Sequence, residues 1–215
     1  MFTRIQIVVA LALATVAWGA VLWYQGISIT WEHLAPFSTV VAVLTGVALV
    51  MEHWAWRLRC LQGWLFSRPD LRGTWKVTLH SEWIDPKTGE RVPPIAAYAG
   101  IVQTLSTLQI HLMAPDAESC LLANSVQRTA CGKRFEIAVV YANTPKVGRR
   151  GPQNERHVGA SIMTTHGEST YKPTSMTAEY WTDRRTIGRM TFEHRVPVVY
   201  SRYEDAVKNR SNFAR

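Results

Sequence analysis

Two stretches in the second half of the chain carry side chains able to hold a small anion together with its rings. Tyr141-Ala142-Asn143-Thr144-Pro145 runs into a loop bearing Lys146, Arg149, Arg150 and Arg156 before His157-Val158-Gly159, and Tyr180-Trp181-Thr182-Asp183-Arg184-Arg185-Thr186 turns through Gly188. Aromatic faces stack on bases, planar guanidinium forks hold phosphate oxygens, and amides or hydroxyls read base edges. The combination suits a small dianionic nucleotide. Tyr141 and Tyr180 are the candidates for stacking, Asn143 and Thr182 for polar contacts with His157 beside them, and Arg149, Arg150, Arg156, Arg184 and Arg185 for phosphate. Each has a plainer reading beside it: the tyrosines as barrel interior, Arg149 and Arg150 as solvated or lipid-facing side chains, and Asn143-Thr144-Pro145 as turn chemistry.

Signatures of catalysis are missing. The chain has no H-E-x-x-H, no P-loop and no G-x-S-x-G, and its seven histidines show no metal-ligand spacing. The expectation is a protein that is not an enzyme and uses no metal or cofactor. Cys60, Cys120 and Cys131 form no C-x-x-C pair, and an odd count argues against a disulfide framework, as in a reducing compartment.

Those binding stretches need a scaffold, and alternation supplies one from Arg72 onward. Trp75, Val77 and Leu79 share one face of a strand and Lys76, Thr78 and His80 the other; Phe135, Ile137, Val139 and Tyr141 repeat the pattern. Eight candidate strands cover 73–82, 97–104, 107–113, 120–127, 134–141, 157–164, 175–183 and 187–195. Eight short strands without helical pattern between them predict a small antiparallel β-barrel, which also removes sheet edges. Gly73-Thr74-Trp75 reads as a tryptophan closing one end. The loops 85–94 and 144–156 are the longest and richest in Pro, Gly and Arg, where binding groups belong. Ser201 and Glu204 have capping-box spacing, which predicts a short helix over 201–213.

The first 56 residues are of another kind. Ile5–Tyr24 and Pro36–Trp56 are apolar runs containing no Lys, Arg or Asp, and a bilayer core of about 30 Å needs roughly 20 such residues as a helix. A signal peptide fits poorly, because Trp18, Trp23 and Tyr24 crowd the place of a small-residue cleavage site. A buried soluble hairpin would need a large partner to cover two helices apolar all round. Arg57, Arg59, Arg68 and Arg72 follow the second run, whereas the loop 25–35 has no Lys or Arg, which places both termini in the cytoplasm. Glu52 and His53 read as interfacial.

The expected fold is thus a membrane α-helical hairpin of two N-terminal transmembrane helices (1–56), a linker (57–71) and an all-β domain (72–215), an eight-stranded antiparallel barrel with a short C-terminal helix. The location expected is the inner membrane, multi-pass. Beyond residue 56 the chain carries 23 basic and 14 acidic residues, a surplus that favours phosphates, nucleotides or acidic lipid headgroups.

Gly73-x-Trp75 on a first barrel strand resembles lipocalins. A wider resemblance rests on Leu71-Arg72-Gly73-Thr74-Trp75-Lys76, Ile101-Val102-Gln103-Thr104, Ile110-His111-Leu112, Tyr141-Ala142-Asn143-Thr144-Pro145, His157-Val158-Gly159 and Tyr180-Trp181-Thr182-Asp183-Arg184 before Gly188. In this order the motifs resemble the two-transmembrane, β-barrel effectors of CBASS antiphage systems. The resemblance implies a barrel that binds a cyclic dinucleotide made by a phage-activated nucleotidyltransferase. It further implies homo-oligomerisation, disruption of the inner-membrane bilayer and cell death, with no DNA or RNA polymer as partner. One departure is Glu118-Ser119-Cys120-Leu121-Leu122, where a more serine-rich strand start is expected. A membrane-tethered carrier of a lipid or apolar molecule, and a membrane anchor for a protein partner, remain as alternatives.

Overall fold

β-Branched and aromatic residues at every second position build eight antiparallel strands, in the computed structural model that describes residues 4–27, 31–85, 88–149 and 155–214. They are β1 (Gly73–Ser81), β2 (Ile95–Gln103), β3 (Leu108–Met113), β4 (Ala117–Arg128), β5 (Phe135–Pro145), β6 (His157–His166), β7 (Ser175–Thr182) and β8 (Ile187–Val196). Each pairs with its chain neighbours and β1 also pairs with β8, so the sheet closes into an up-and-down barrel without edges. The strands thus follow the alternation in the sequence, with β4 and β5 longer than the apolar pattern alone indicates. Two bulges adjust the ladder, one between Thr74 and Lys76 and one between Leu121 and Ala123.

An eight-stranded barrel is just wide enough for side chains to fill it or for one small ligand. Here the two ends differ. Trp75, Ile101, Phe135 and Met176 are fully buried and fill one end. The Trp75 indole N–H donates to the Leu71 carbonyl at 2.8 Å, and the Arg195 guanidinium lies over the ring, 5.3 Å from its centroid. Gln103 completes this closure. Its Oε1 accepts from the Leu71 N–H and its Nε2 donates to the Pro69 carbonyl, both at 2.9 Å, so the connector before β1 is held as a plug. Gly73 has φ of 116°, and a side chain there would run into the Val196 carbonyl.

The outer face of β2 and β3 is covered by the chain's own C-terminal segment, α3 (Tyr203–Lys208) and a 3₁₀ turn (Arg210–Ala214), with Phe213 against Tyr98 at 5.1 Å between ring centroids. The expected capping box is absent: the N-cap is Arg202 and makes no side-chain cap. Glu204 instead accepts from Lys146 at 3.0 Å, so its carboxylate ties the start of the β5–β6 loop to α3.

The chain divides into two compact units, residues 1–61 with 104–106, and 62–103 with 107–215. The first unit contains α1 (Arg4–Tyr24) and α2 (Trp31–His53). Among the described residues no helix is long and apolar enough to cross a membrane. This overturns the expectation of two transmembrane helices, and with it the multi-pass inner-membrane placement with both termini cytoplasmic. α1 follows the first apolar run almost residue for residue, with Arg4 added at its start, whereas α2 begins at Trp31, ahead of the second run, takes in Glu32 and His33, and closes on Glu52 and His53. Nor is Glu52 left for headgroup water. Its carboxylate accepts from the Thr104 hydroxyl at 2.5 Å, from the Ser106 N–H at 3.2 Å and from the Ser106 hydroxyl.

Replacing Gln103 by Leu strands the Leu71 N–H and the Pro69 carbonyl inside the closed end, at roughly 1–3 kcal/mol for each unpaired group. The expected outcome in thermal unfolding is a midpoint several degrees below that of the unaltered chain, since one kcal/mol is about 2–4 °C at this size; an unchanged midpoint contradicts the plug.

Candidate functional site

Glycines opposite tyrosines keep the other end of the barrel open. Tyr141 on β5 is paired in register with Gly159 on β6, and Tyr180 on β7 with Gly188 on β8. A methyl group at Gly159 would sit 2.5 Å from the Tyr141 hydroxyl and ring, and one at Gly188 would lie 2.6 Å from the ring and hydroxyl of Tyr180. Each ring therefore lies flat on the bare backbone of the next strand instead of crossing the interior. Small side chains do the rest, with Ala114, Ala117, Ser119 and Ser161 at neighbouring wall positions.

The result is a cavity of about 180 Å³. Its floor is apolar, formed by residues such as Leu112, Val139, Met163 and Phe192 from the inward faces of β3, β5, β6 and β8. Its polar groups come from the strand ends: Ser119, Tyr141, Asn143, His157, Tyr180 and Thr182. Asn143 donates one amide N–H to the Ser119 hydroxyl at 2.8 Å, which leaves its carbonyl oxygen and second N–H toward the cavity. His157 Nδ1 lies 3.0 Å from the Glu155 carbonyl; that oxygen can only accept, so Nδ1 donates this bond and Nε2 is the ring nitrogen it leaves over. The hydroxyls of Thr182 and Thr186 are paired at 2.6 Å.

Burial, followed by the nearby Tyr180 and Asp183, pushes the Tyr141 phenol well above its ordinary 10.0. Burial also raises Tyr180, against the pull of a hydrogen bond with Ser81. Both phenols are therefore neutral hydroxyls at physiological pH, able to donate as well as accept.

Five of the ten residues expected from the sequence, Tyr141, Asn143, His157, Tyr180 and Thr182, line this one cavity. Arg184 and Arg185 do not. They sit in the β7–β8 turn at the same end of the barrel, where Arg185 takes a left-handed φ of 61° and its N–H donates to the Thr182 carbonyl at 3.0 Å. Asp183 holds that turn against β6, its carboxylate accepting from the Val158 N–H and its own N–H donating to the Val158 carbonyl, each at 3.0 Å. Arg156 is exposed directly before β6, and Arg149 ends a short 3₁₀ turn, Val147–Arg149, in the same loop. Arg150 lies outside the described residues.

Sequence reasoning missed Ser119, Ser161 and Thr186 as wall residues. Ser161 was within reach, since it falls on the same face of β6 as His157, Gly159 and Met163. Ser119 was not, because the Glu118–Leu122 segment looks too apolar for a binding strand; only the register, which sets Ser119 opposite Asn143, brings it to the wall.

A group whose folded value is raised contributes stability that is complete below its unfolded value and lost as pH rises past it. Chemical denaturation between pH 8 and 11 should thus show stability constant up to about 10 and falling above it, with a shallower fall for Tyr141→Phe. Equal alkaline loss in both proteins contradicts this account of the phenols.

A model of the family described as Cap15, cyclic dinucleotide receptor domain, matches residues 66–194. No curated protein matches the chain.

Proposed function

The chain belongs to the family of Cap15 cyclic dinucleotide receptor domains, and from that premise we propose that the cavity at the open end of its barrel is where the cyclic dinucleotide of a CBASS antiphage system is bound. The observation that carries the proposal is the convergence of two flattened tyrosine rings with an amide, an imidazole and hydroxyls in one cavity. The matched region is a receptor, a sensor rather than a catalytic domain.

The size of the cavity bears on how the ligand enters. Sites for drug-sized ligands enclose about 300–1,000 Å³, more than the 180 Å³ present here. A base therefore enters between Tyr141 and Tyr180, reading Asn143 and His157 with its polar edge, while the cyclic sugar-phosphate stays at the mouth. Arg156, Arg184 and Arg185, exposed at this end of the barrel, are the cations we assign to its two phosphates, with Arg149 and Arg150 kept as candidates from the sequence alone. Exposed arginines act through screened charge, so they set on-rate and salt dependence more than depth of binding.

Nucleotide binding drives assembly only if it favours the assembled form over the monomer, since equal affinity for both shifts nothing. We propose that this preference exists and that assembly disrupts a bilayer. Family membership and the basic balance of the chain beyond residue 56 support this reading. The apolar floor also suits an acyl chain; an apolar molecule retained in native mass spectrometry and not displaced by nucleotide would favour a carrier instead.

The test is calorimetric titration of the full-length chain with cyclic di-AMP, cyclic di-GMP, cyclic GMP-AMP and cyclic trinucleotides. One of them should bind saturably. Gly159→Ala, which drives the Tyr141 ring into the cavity, and Tyr141→Ala should each weaken it at least tenfold, about 1.4 kcal/mol. Arg184→Ala with Arg185→Ala should weaken it less and flatten its salt dependence. Absence of binding across the panel, or unaltered binding by Gly159→Ala, contradicts the site.

A further inference from the structure

We infer that the outer face of β5 to β8 is the surface on which a second copy of this chain docks. The inference deepens the assembly reading above and rests on it for its biological sense, but its geometry is independent. Val140 is paired with Ala160, Ala160 with Trp181 and Trp181 with Ile187, so these four side chains form one continuous row across four strands. Val158 and Ile162 extend the row on either side along β6. All point away from the cavity, and they are left in solvent: Trp181 is 46% and Ile187 57% exposed. A contiguous apolar area with tryptophan near its centre marks an interaction site on a soluble surface.

The contrast within the same barrel sharpens the point. The outer face of β2 and β3 is also apolar, and the chain covers it with its own C-terminal segment. Among the described residues nothing covers the face of β5 to β8.

Charge selects the occupant. The row next to the apolar one runs Ile162, Glu179, Arg189, and the Glu179 carboxylate and Arg189 guanidinium are only loosely engaged, 3.8 Å apart with both side chains about three-quarters exposed. On the other flank stand Asp183, Arg184 and Arg185. A face that carries both signs beside its apolar row is complementary to itself, because a two-fold axis can set Glu179 of one copy against Arg189 of the other. An anionic bilayer would meet two carboxylates on the same face. A partner of single sign would be repelled by one flank residue or the other.

The face is also the back of the binding site. Tyr141, Tyr180 and Thr182 point inward from the strands whose next residues, Val140 and Trp181, point outward. A ligand that alters the twist of β5 to β7 alters both sides at once, which is how cavity occupancy would reach the docking surface.

The experiment is sedimentation velocity of the full-length chain over a range of concentrations, with and without cyclic di-AMP, cyclic di-GMP and cyclic GMP-AMP, alongside calorimetry with the same nucleotides. Trp181→Glu and, independently, Ile187→Arg should weaken self-association at least tenfold while leaving the barrel folded and still able to bind nucleotide with the affinity the unaltered chain shows at concentrations where it is monomeric. Glu179→Arg and Arg189→Glu should each weaken it, and the doubly exchanged protein should recover it, the signature of direct contact between copies. Self-association of Trp181→Glu equal to that of the unaltered chain overturns the inference. So does failure of the double exchange to restore it, or an unaltered chain that stays monomeric throughout. If Trp181→Glu loses only its binding to phosphatidylglycerol vesicles, the face is a membrane surface and the inference falls. Loss of nucleotide binding in every protein, with the pattern of self-association intact, refutes the ligand reading and leaves the docking face standing.

Discussion

The Trp75 indole lies inside one end of the barrel with its N–H spent on the Leu71 carbonyl, and Gln103 clamps the same connector through Leu71 and Pro69. Everything else in the second unit depends on this asymmetry. A closed barrel of eight strands has room for one thing at each level, so filling one end with Trp75, Phe135 and Met176 leaves only the opposite end for a ligand. The polar groups sit at that end because the β5–β6 and β7–β8 connections that carry them turn there. The plug is costly to disturb. Asp70, beside it, is raised by burial yet held below its ordinary 3.8 by hydrogen bonds and charge from Arg72, with Arg195 behind.

Openness at the mouth has a local cause. A tyrosine pointing into an eight-stranded barrel normally fills it; here Gly159 and Gly188 let the rings of Tyr141 and Tyr180 lie down on the neighbouring strands. The same two glycines thus create the space and orient the aromatic surfaces that border it. Raised phenol values follow from the same burial and keep both hydroxyls protonated as donors. The two phenols consequently bring no charge into the cavity, while Arg156, Arg184 and Arg185 stand exposed at the same end of the barrel. That arrangement matches a ligand whose bases are uncharged and whose phosphates are not.

Alternation made the strands legible, since a period of two with aromatic and β-branched residues has few other solutions, and the residues around Tyr141 and Tyr180 stood out because stacking and turn chemistry leave composition signatures. Register was not legible. It alone sets Ser119 opposite Asn143 and lines up Val140, Ala160, Trp181 and Ile187 on the outside, and it depends on where bulges such as that between Leu121 and Ala123 fall. The capping-box reading failed because Glu204 had a better partner in Lys146, 58 positions away in sequence. The membrane-hairpin reading failed for a related reason. Apolar runs report composition, whereas α2 as formed starts ahead of its run and takes in Glu32 and His33, and Glu52 is committed to Thr104 and Ser106. A contact between distant segments leaves no trace in local pattern.

The central claim is that the barrel interior, and not its rim or outer wall, receives the nucleotide. A crystal structure of the full-length chain grown with the cyclic dinucleotide that binds it tests this most directly. The account predicts one base between the rings of Tyr141 and Tyr180, within hydrogen-bond reach of Asn143 and His157, and the phosphates at the mouth toward the β7–β8 turn. Nucleotide bound on the outer wall, with the cavity empty or filled by an acyl chain, would contradict it.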